Sequence, residues 1–207
     1  MAGPLTVTAW ERLEIVDGEP DWHRIGAMVR AVHDLPVAAV PAGYPLPHGA
    51  DFPWWRFDDL LAEVDDELDD PAREGLVAAI ERHRAWSAAE VVCHGDLHPG
   101  NVVSTSTGPV LVDWDLLCRA PTGWDHAMLL TLPRWGWPVR WYDEFAAGYG
   151  RSLRDDPTAV ALAELRLVAA TLMRLRAARS DRGAVSEARR RLAYWRGDPD
   201  APLWRAQ

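Results

Sequence analysis

Apolar residues recur at helical spacing along most of this chain. Asp21 stands where it can cap a helix whose apolar positions Ile25, Met28, Val29 and Val32 share one face. Phe57 to Asp70 reads as an acidic helix ended by Pro71, and Pro71 suits the first turn of a following helix that carries Leu76, Val77 and Ile80. Further helices are predicted over Trp124–Leu132, Val139–Tyr149, Thr158–Arg179 and Ala184–Trp195. Alternating, β-prone runs are few. Leu5 to Trp10 reads as a short strand, Val91-Val92-Cys93 as another. Val102-Val103-Ser104 and Val110-Leu111-Val112 read as a hairpin around Thr105-Ser106-Thr107-Gly108-Pro109. Leu35 to Pro53, with five prolines, is a surface loop. The expected fold is α+β, mainly α-helical, with one small β-hairpin carrying the most polar motif.

At 207 residues and 48% hydrophobic, the chain can bury a substantial core. No apolar run approaches the roughly 18–20 residues of a membrane span, and the N-terminus lacks the basic and apolar regions of an export signal. Cys93 and Cys118, each beside apolar residues, point to reduced thiols and a cytoplasmic location. A net charge of −9 argues against binding nucleic-acid phosphates. The charge is uneven: nine carboxylates against one Arg from Asp58 to Glu74, then eight Arg against two acids from Arg174 to Arg196. Two solvated helix faces would account for both blocks. The sharper expectation is that the acidic block attracts a cationic substrate. All 22 basic residues are Arg.

The chemistry concentrates in His94-Gly95-Asp96-Leu97-His98-Pro99-Gly100-Asn101, followed twelve residues later by Asp113 at the end of an apolar run. The offsets of His94, Asp96, Leu97 and Asn101 are those of the protein-kinase catalytic loop, in which the Asp is the base and the Asn holds magnesium. Phosphoryl transfer asks a protein for positioning and charge neutralisation. Asp96, ionised near neutrality with an ordinary pKa of about 3.9, is the candidate base. Asn101 and Asp113 supply the hard oxygens that Mg²⁺ prefers, with Asp115 a weaker candidate. The hairpin would return Asp113 to the end of the ladder where Asn101 stands. His94 and His98 straddle Asp96. With no third ligand cluster nearby, they read as imidazoles that orient the loop rather than as zinc ligands. Trp54, Trp55, Trp135, Trp137 and Trp141 fall where they can flank an acceptor pocket or simply pack a core.

These residues, with Val112-Asp113-Trp114-Asp115, Ala120-Pro121-Thr122-Gly123-Trp124-Asp125-His126-Ala127 and Phe145 to Gly150, resemble the aminoglycoside phosphotransferase (phosphotransferase enzyme) family. The resemblance implies the C-terminal lobe of a protein-kinase-like fold over residues 21–207, with 1–20 as a hinge or inter-lobe strand remnant. It implies transfer of the ATP γ-phosphate to a hydroxyl of an aminoglycoside, amino alcohol or similar small molecule, with Mg²⁺ and ATP as cofactors. It assigns Asp125 to capping the catalytic loop, and the backbone of Thr8, Ala9 and Trp10 to contacting adenine. The family's N-terminal lobe grips ATP through a Gly-rich loop, a strand Lys and a helix Glu. Here the hinge-like strand begins by residue 5, G-x-G-x-x-G is absent and there is no Lys. A partner supplying that lobe is one expectation. A non-catalytic small-molecule-binding protein derived from the family is the other.

Overall fold

In the computed structural model, residues 12–84 and 88–206 are described. The predicted strand at Leu5–Trp10, and with it Thr8, Ala9 and Trp10, lies outside them. Seven α-helices and four short strands occur among the described residues: α1 (Trp22–His33), α2 (Phe57–Glu63), α3 (Asp70–His83), β1 (Glu90–Cys93), β2 (Val102–Thr105), β3 (Gly108–Leu111), β4 (Cys118–Pro121), α4 (Gly123–Leu130), α5 (Arg140–Tyr149), α6 (Pro157–Ala178) and α7 (Val185–Trp195). None of these helices is long and apolar enough to cross a membrane.

Capping chemistry sets several of the helix starts. Asp21 accepts the N–H of Arg24 at 3.0 Å, Asp69 that of Ala72 at 3.1 Å and Asp156 that of Ala159 at 2.9 Å. Gly150 ends α5 in the left-handed conformation. The long acidic helix expected over 57–70 does not form. The chain leaves helical geometry at Val64, makes one 3₁₀ turn over Asp65–Glu67 and extends at Leu68, so that Asp69 can cap α3. Acidic composition gave no sign of this break. It is driven by burial of Val64 and Leu68 against the core.

Strands β2 and β3 form the expected hairpin, antiparallel with Val102 opposite Leu111 and Thr105 opposite Gly108. A second antiparallel pair, β1 with β4, was not anticipated; it sets Cys93 opposite Cys118. The core falls into two clusters. One gathers α2, α3, α6 and α7 around Leu76, Leu162, Leu172 and Trp195. The other packs α1 against α5 around Trp22, Ile25, Phe145 and Tyr149. Helices α1 and α5 approach so closely that a Cβ on Gly26 would strike the Phe145 carbonyl and one on Gly148 the His23 carbonyl.

The two charge blocks face each other. Arg176 pairs with Glu63 at 3.0 Å, Arg179 with Asp66 at 2.6 Å and Arg196 with Asp69 at 2.5 Å, tying α6 and α7 to the segment around α2 and α3. Asp65 pairs with Arg73, and Asp58 with Arg84 at 3.1 Å. Each such exposed pair is worth little alone, about 0–1 kcal/mol. Together they engage five of the nine carboxylates that the sequence offered to a cationic substrate.

His126 is buried among Tyr142, Phe145 and Tyr149, and its Nδ1 lies 3.1 Å from the Tyr142 hydroxyl, which itself accepts the Leu153 N–H. Burial pushes its pKa down to about 3. The unfolded chain, with a histidine pKa of about 6.5, therefore binds one more proton than the folded state between these values, and stability falls as pH drops through that window. Replacing His126→Phe should cost stability at pH 7, because Tyr142 loses an acceptor. It should also flatten the acid side of the profile by up to about 1.4 kcal/mol per pH unit. Urea unfolding from pH 7 to pH 4 measures both effects.

Candidate active site

Strand β1 ends at Cys93 and delivers the chain into the loop His94–Asn101. The loop is held from beneath by one carboxylate. Asp125, on the first turn of α4 and fully buried, accepts the His94 N–H at 2.8 Å and the Gly95 N–H at 2.9 Å. Its Oδ2 also meets His33 Nε2 at 3.0 Å, and His33 Nδ1 meets the Tyr149 hydroxyl at 2.9 Å. Burial would raise the Asp125 carboxyl, but the His33 hydrogen bond and electrostatic attraction, the Gly95 N–H and the polar His94 ring outweigh it and hold the pKa below the usual carboxylate range. Gly95 adopts φ +92°, and a Cβ there would run into the Leu116 carbonyl, so the turn admits only glycine. The freed Gly95 carbonyl accepts from Trp124 Nε1 at 3.0 Å and Arg166 Nη2 at 2.5 Å.

Both motif imidazoles have their ring nitrogens engaged. His94 Nδ1 accepts the Asp96 N–H at 3.3 Å, so Nε2 carries the proton and donates to the Val112 carbonyl at 3.0 Å, bridging the loop to the end of the hairpin. His98 Nδ1 accepts the Gly100 N–H at 3.0 Å, which leaves Nε2–H directed at Asp96 Oδ2, 3.4 Å away. Neither ring has a nitrogen left for a metal.

Asp96 is partly exposed, with Oδ2 facing His98 and Oδ1 lying 3.8 Å from Arg166 Nη1. Burial would raise its carboxyl. The His98 hydrogen bond and the Arg166 charge, with smaller electrostatic contributions from the polar His98 and His94 rings, prevail, so its pKa lies below the ordinary carboxylate value. Asn101 is buried and donates its side-chain N–H to the Asp96 carbonyl at 2.9 Å. That bond fixes the amide so that Oδ1 points away, and among the described residues it accepts no hydrogen bond.

The hairpin sets Val112 against Asn101 through a Val112 N–H to Asn101 carbonyl bond of 3.0 Å, so Asp113 follows directly beside Asn101. Asp113 is the one non-glycine residue with positive φ among those described, at φ 63° and ψ 64°, a conformation Asp tolerates better than most residues. Its side chain and that of Asp115 are exposed and make no hydrogen bond or ion pair among the described residues. An amide oxygen that accepts no hydrogen bond among the described residues, and an unpartnered carboxylate on the residue after Val112, are oxygens of the type a hard divalent cation takes. A second cluster, His33, Cys93 and Asp125, is wholly buried. Its atoms bond to one another, to the loop and to the carbonyls of Ala120 and Pro121, which marks it as support. Burial pushes the Cys93 thiol well up and that of Cys118 up to about 12, so neither is a nucleophile near neutrality.

Three contributors were not legible in sequence. His33 reaches Asp125 from 92 residues away, and Trp124 and Arg166 converge on the Gly95 carbonyl. Arg166 did leave a trace: a lone cation inside the apolar run Leu162 to Leu172, which on α6 turns inward. Its guanidinium lies 4.7 Å over the Trp124 ring, and burial lowers its pKa. Substituting Arg166→Met, similar in length but uncharged, should raise the Asp96 pKa. The Asp96 carboxylate would then protonate at higher pH, and carboxyl ¹³C NMR of Asp96 reads the change.

The family model for the phosphotransferase enzyme family matches residues 3–165. No match was found among curated protein sequences. Among solved structures, the chain is similar to a choline/ethanolamine kinase family protein from Mesorhizobium loti, with 18% identity, TM-score 0.64, and coverage of 87% of this chain and 62% of that one. It is similar to the macrolide 2'-phosphotransferase MphH from Brachybacterium faecium, with 19% identity, TM-score 0.55, and coverage of 83% and 60%. It is also similar to APH(2")-IIia, solved with GDP and kanamycin, with 18% identity, TM-score 0.63, and coverage of 89% and 65%. The chain thus spans somewhat under two thirds of the length of these proteins and shares their kinase-like fold. With the family model matching most of its length, the chain belongs to the phosphotransferase enzyme family.

Proposed function

We propose that this chain carries the acceptor-binding and metal-holding part of a phosphotransferase that moves the γ-phosphate of ATP to a hydroxyl of a small molecule. The observation that carries this reading is the setting of Asp96. Its carboxylate is kept ionised between His98 and Arg166, lines an open cavity and stands beside Asn101, whose Oδ1 is unclaimed. Asp96 would accept a hydrogen bond from the incoming hydroxyl, orient it and take its proton as the new P–O bond forms, a role worth about 10²–10⁴-fold in rate. Asn101 and Asp113 would hold Mg²⁺, which supplies neutralisation of phosphate charge. These 207 residues include no lysine, so within them the phosphates would fall to arginines; a partner contributing a phosphate-gripping lobe is a second route.

The test is transfer of labelled phosphate from Mg-ATP to a panel of hydroxyl compounds. Asp96→Asn should lower the rate by about 10²–10⁴-fold with thermal unfolding unchanged, since the Asp96 side chain is not part of the core. A rate close to that of the parent would remove Asp96 from this role. In the same assay Asp113→Ala should raise the Mg²⁺ concentration that gives half the maximal rate.

A further inference from the structure

The walls beside Asp96 carry information on the acceptor. One cavity of about 320 Å³ is lined by Asp96 and Arg166 together with Trp54, Leu116, Trp135 and Met173. A second, of about 600 Å³, runs past His98, Leu132, Trp137 and Arg174. The two share Met128, Trp135, Ala170 and Met173, so they form one groove leading away from the Asp96 carboxylate. Its size is that of a site for a drug-sized molecule.

Its charge is unusual for a chain of net −9. Among the described residues, Asp96 is the only carboxylate lining the groove, and it lies against Arg166. The other charged lining groups are Arg174 and Arg191, and Arg191 is paired with the buried Glu187 at 3.1 Å. Among the described residues, no surplus negative charge faces the groove. The acidic block of 58–74 does not line it, and five of its carboxylates are bound in ion pairs to arginines. The remaining surface is aromatic and aliphatic. Trp54 is stacked on Phe52 at 4.5 Å, and Trp135 is wedged between Trp204 at 5.3 Å and the Arg191 guanidinium at 4.8 Å. These indoles offer flat faces that are fixed before a ligand arrives. A polycation would exchange its hydration for a wall whose one carboxylate among the described residues already lies against Arg166.

We infer that the acceptor is a hydroxylated molecule with a largely apolar body and no positive charge, seated on Trp54, Trp135 and Met173 with its hydroxyl at Asp96. The term acceptor rests on the phosphotransfer reading, whereas the ligand's chemistry rests on the groove alone. The experiment is therefore calorimetric binding without nucleotide, on the full chain carrying Asp96→Asn and on the parent. The probes are 4-methylumbelliferyl β-D-glucoside, which is neutral and aromatic, and kanamycin, which is polycationic. The glucoside should bind both proteins and kanamycin neither. Met173, more than a third exposed on α6, can be changed to Glu without disturbing the core. Met173→Glu should weaken the glucoside at least about tenfold while its thermal unfolding matches the parent. Absence of glucoside binding, binding unaffected by Met173→Glu, or kanamycin binding as tight as the glucoside would each overturn the inference. Glucoside binding without any phosphate transfer in the assay above would instead count against catalysis by this chain alone and leave this inference standing.

Discussion

The buried carboxylate of Asp125 organises this molecule. It takes two consecutive backbone N–H groups of the loop and an imidazole from α1, so three separate parts of the chain meet at one fully desolvated charge. Leaving such a charge unpaired would cost several kcal/mol, and so would leaving its donors without an acceptor. The arrangement is therefore close to all-or-none. Asp125 fixes the His94–Gly95 peptides, Gly95 turns its carbonyl towards Trp124 and Arg166, and that turn aims Asp96 at the groove. The loop is positioned by hydrogen bonds to rigid helices rather than by its own sequence, which has little to pack with beyond Leu97.

Arg166 couples that scaffold to the surface on which a ligand would sit. One arm of its guanidinium holds a loop carbonyl, the other faces Asp96, and the flat of the group rests on Trp124. Together with the His98 hydrogen bond, this buried cation favours the charged form of the neighbouring carboxylate in a largely apolar wall. The same wall is what the family assignment by itself does not specify. Its composition comes from α6 and from the chain around Trp135, and the reading of the acceptor as uncharged comes from these residues alone.

Much of the architecture was readable in the residues. Asp21 announced its helix, the prolines and glycines of 35–53 announced a loop, and the valine runs at 102 and 110 announced a hairpin. The sequence misled where long-range packing overrode local preference. Asp58 to Asp70 has helical composition, yet it breaks so that Val64 and Leu68 can be buried. Cys118-Arg119-Ala120-Pro121 has no strand signature and becomes a strand because β1 lies alongside to pair with it. In the site, the motif spacing located Asp96, Asn101 and the two histidines within one loop, and the family resemblance pointed to Asp125. His33 and Arg166 could not be found this way, because their roles exist only once segments 71 to 92 residues apart have been folded together.

The facing charge blocks give the molecule two parts with different sensitivity to its ionic surroundings. The arginines of α6 and α7 meet the carboxylates near α2 and α3 in the open, within reach of mobile ions that shorten the range of their attraction to about 8–10 Å. The charges around Asp125 are sealed from those ions. Concentrated salt will consequently loosen the outer helices against one another before it reaches the loop, so that the rim of the molecule can soften while its centre stays set.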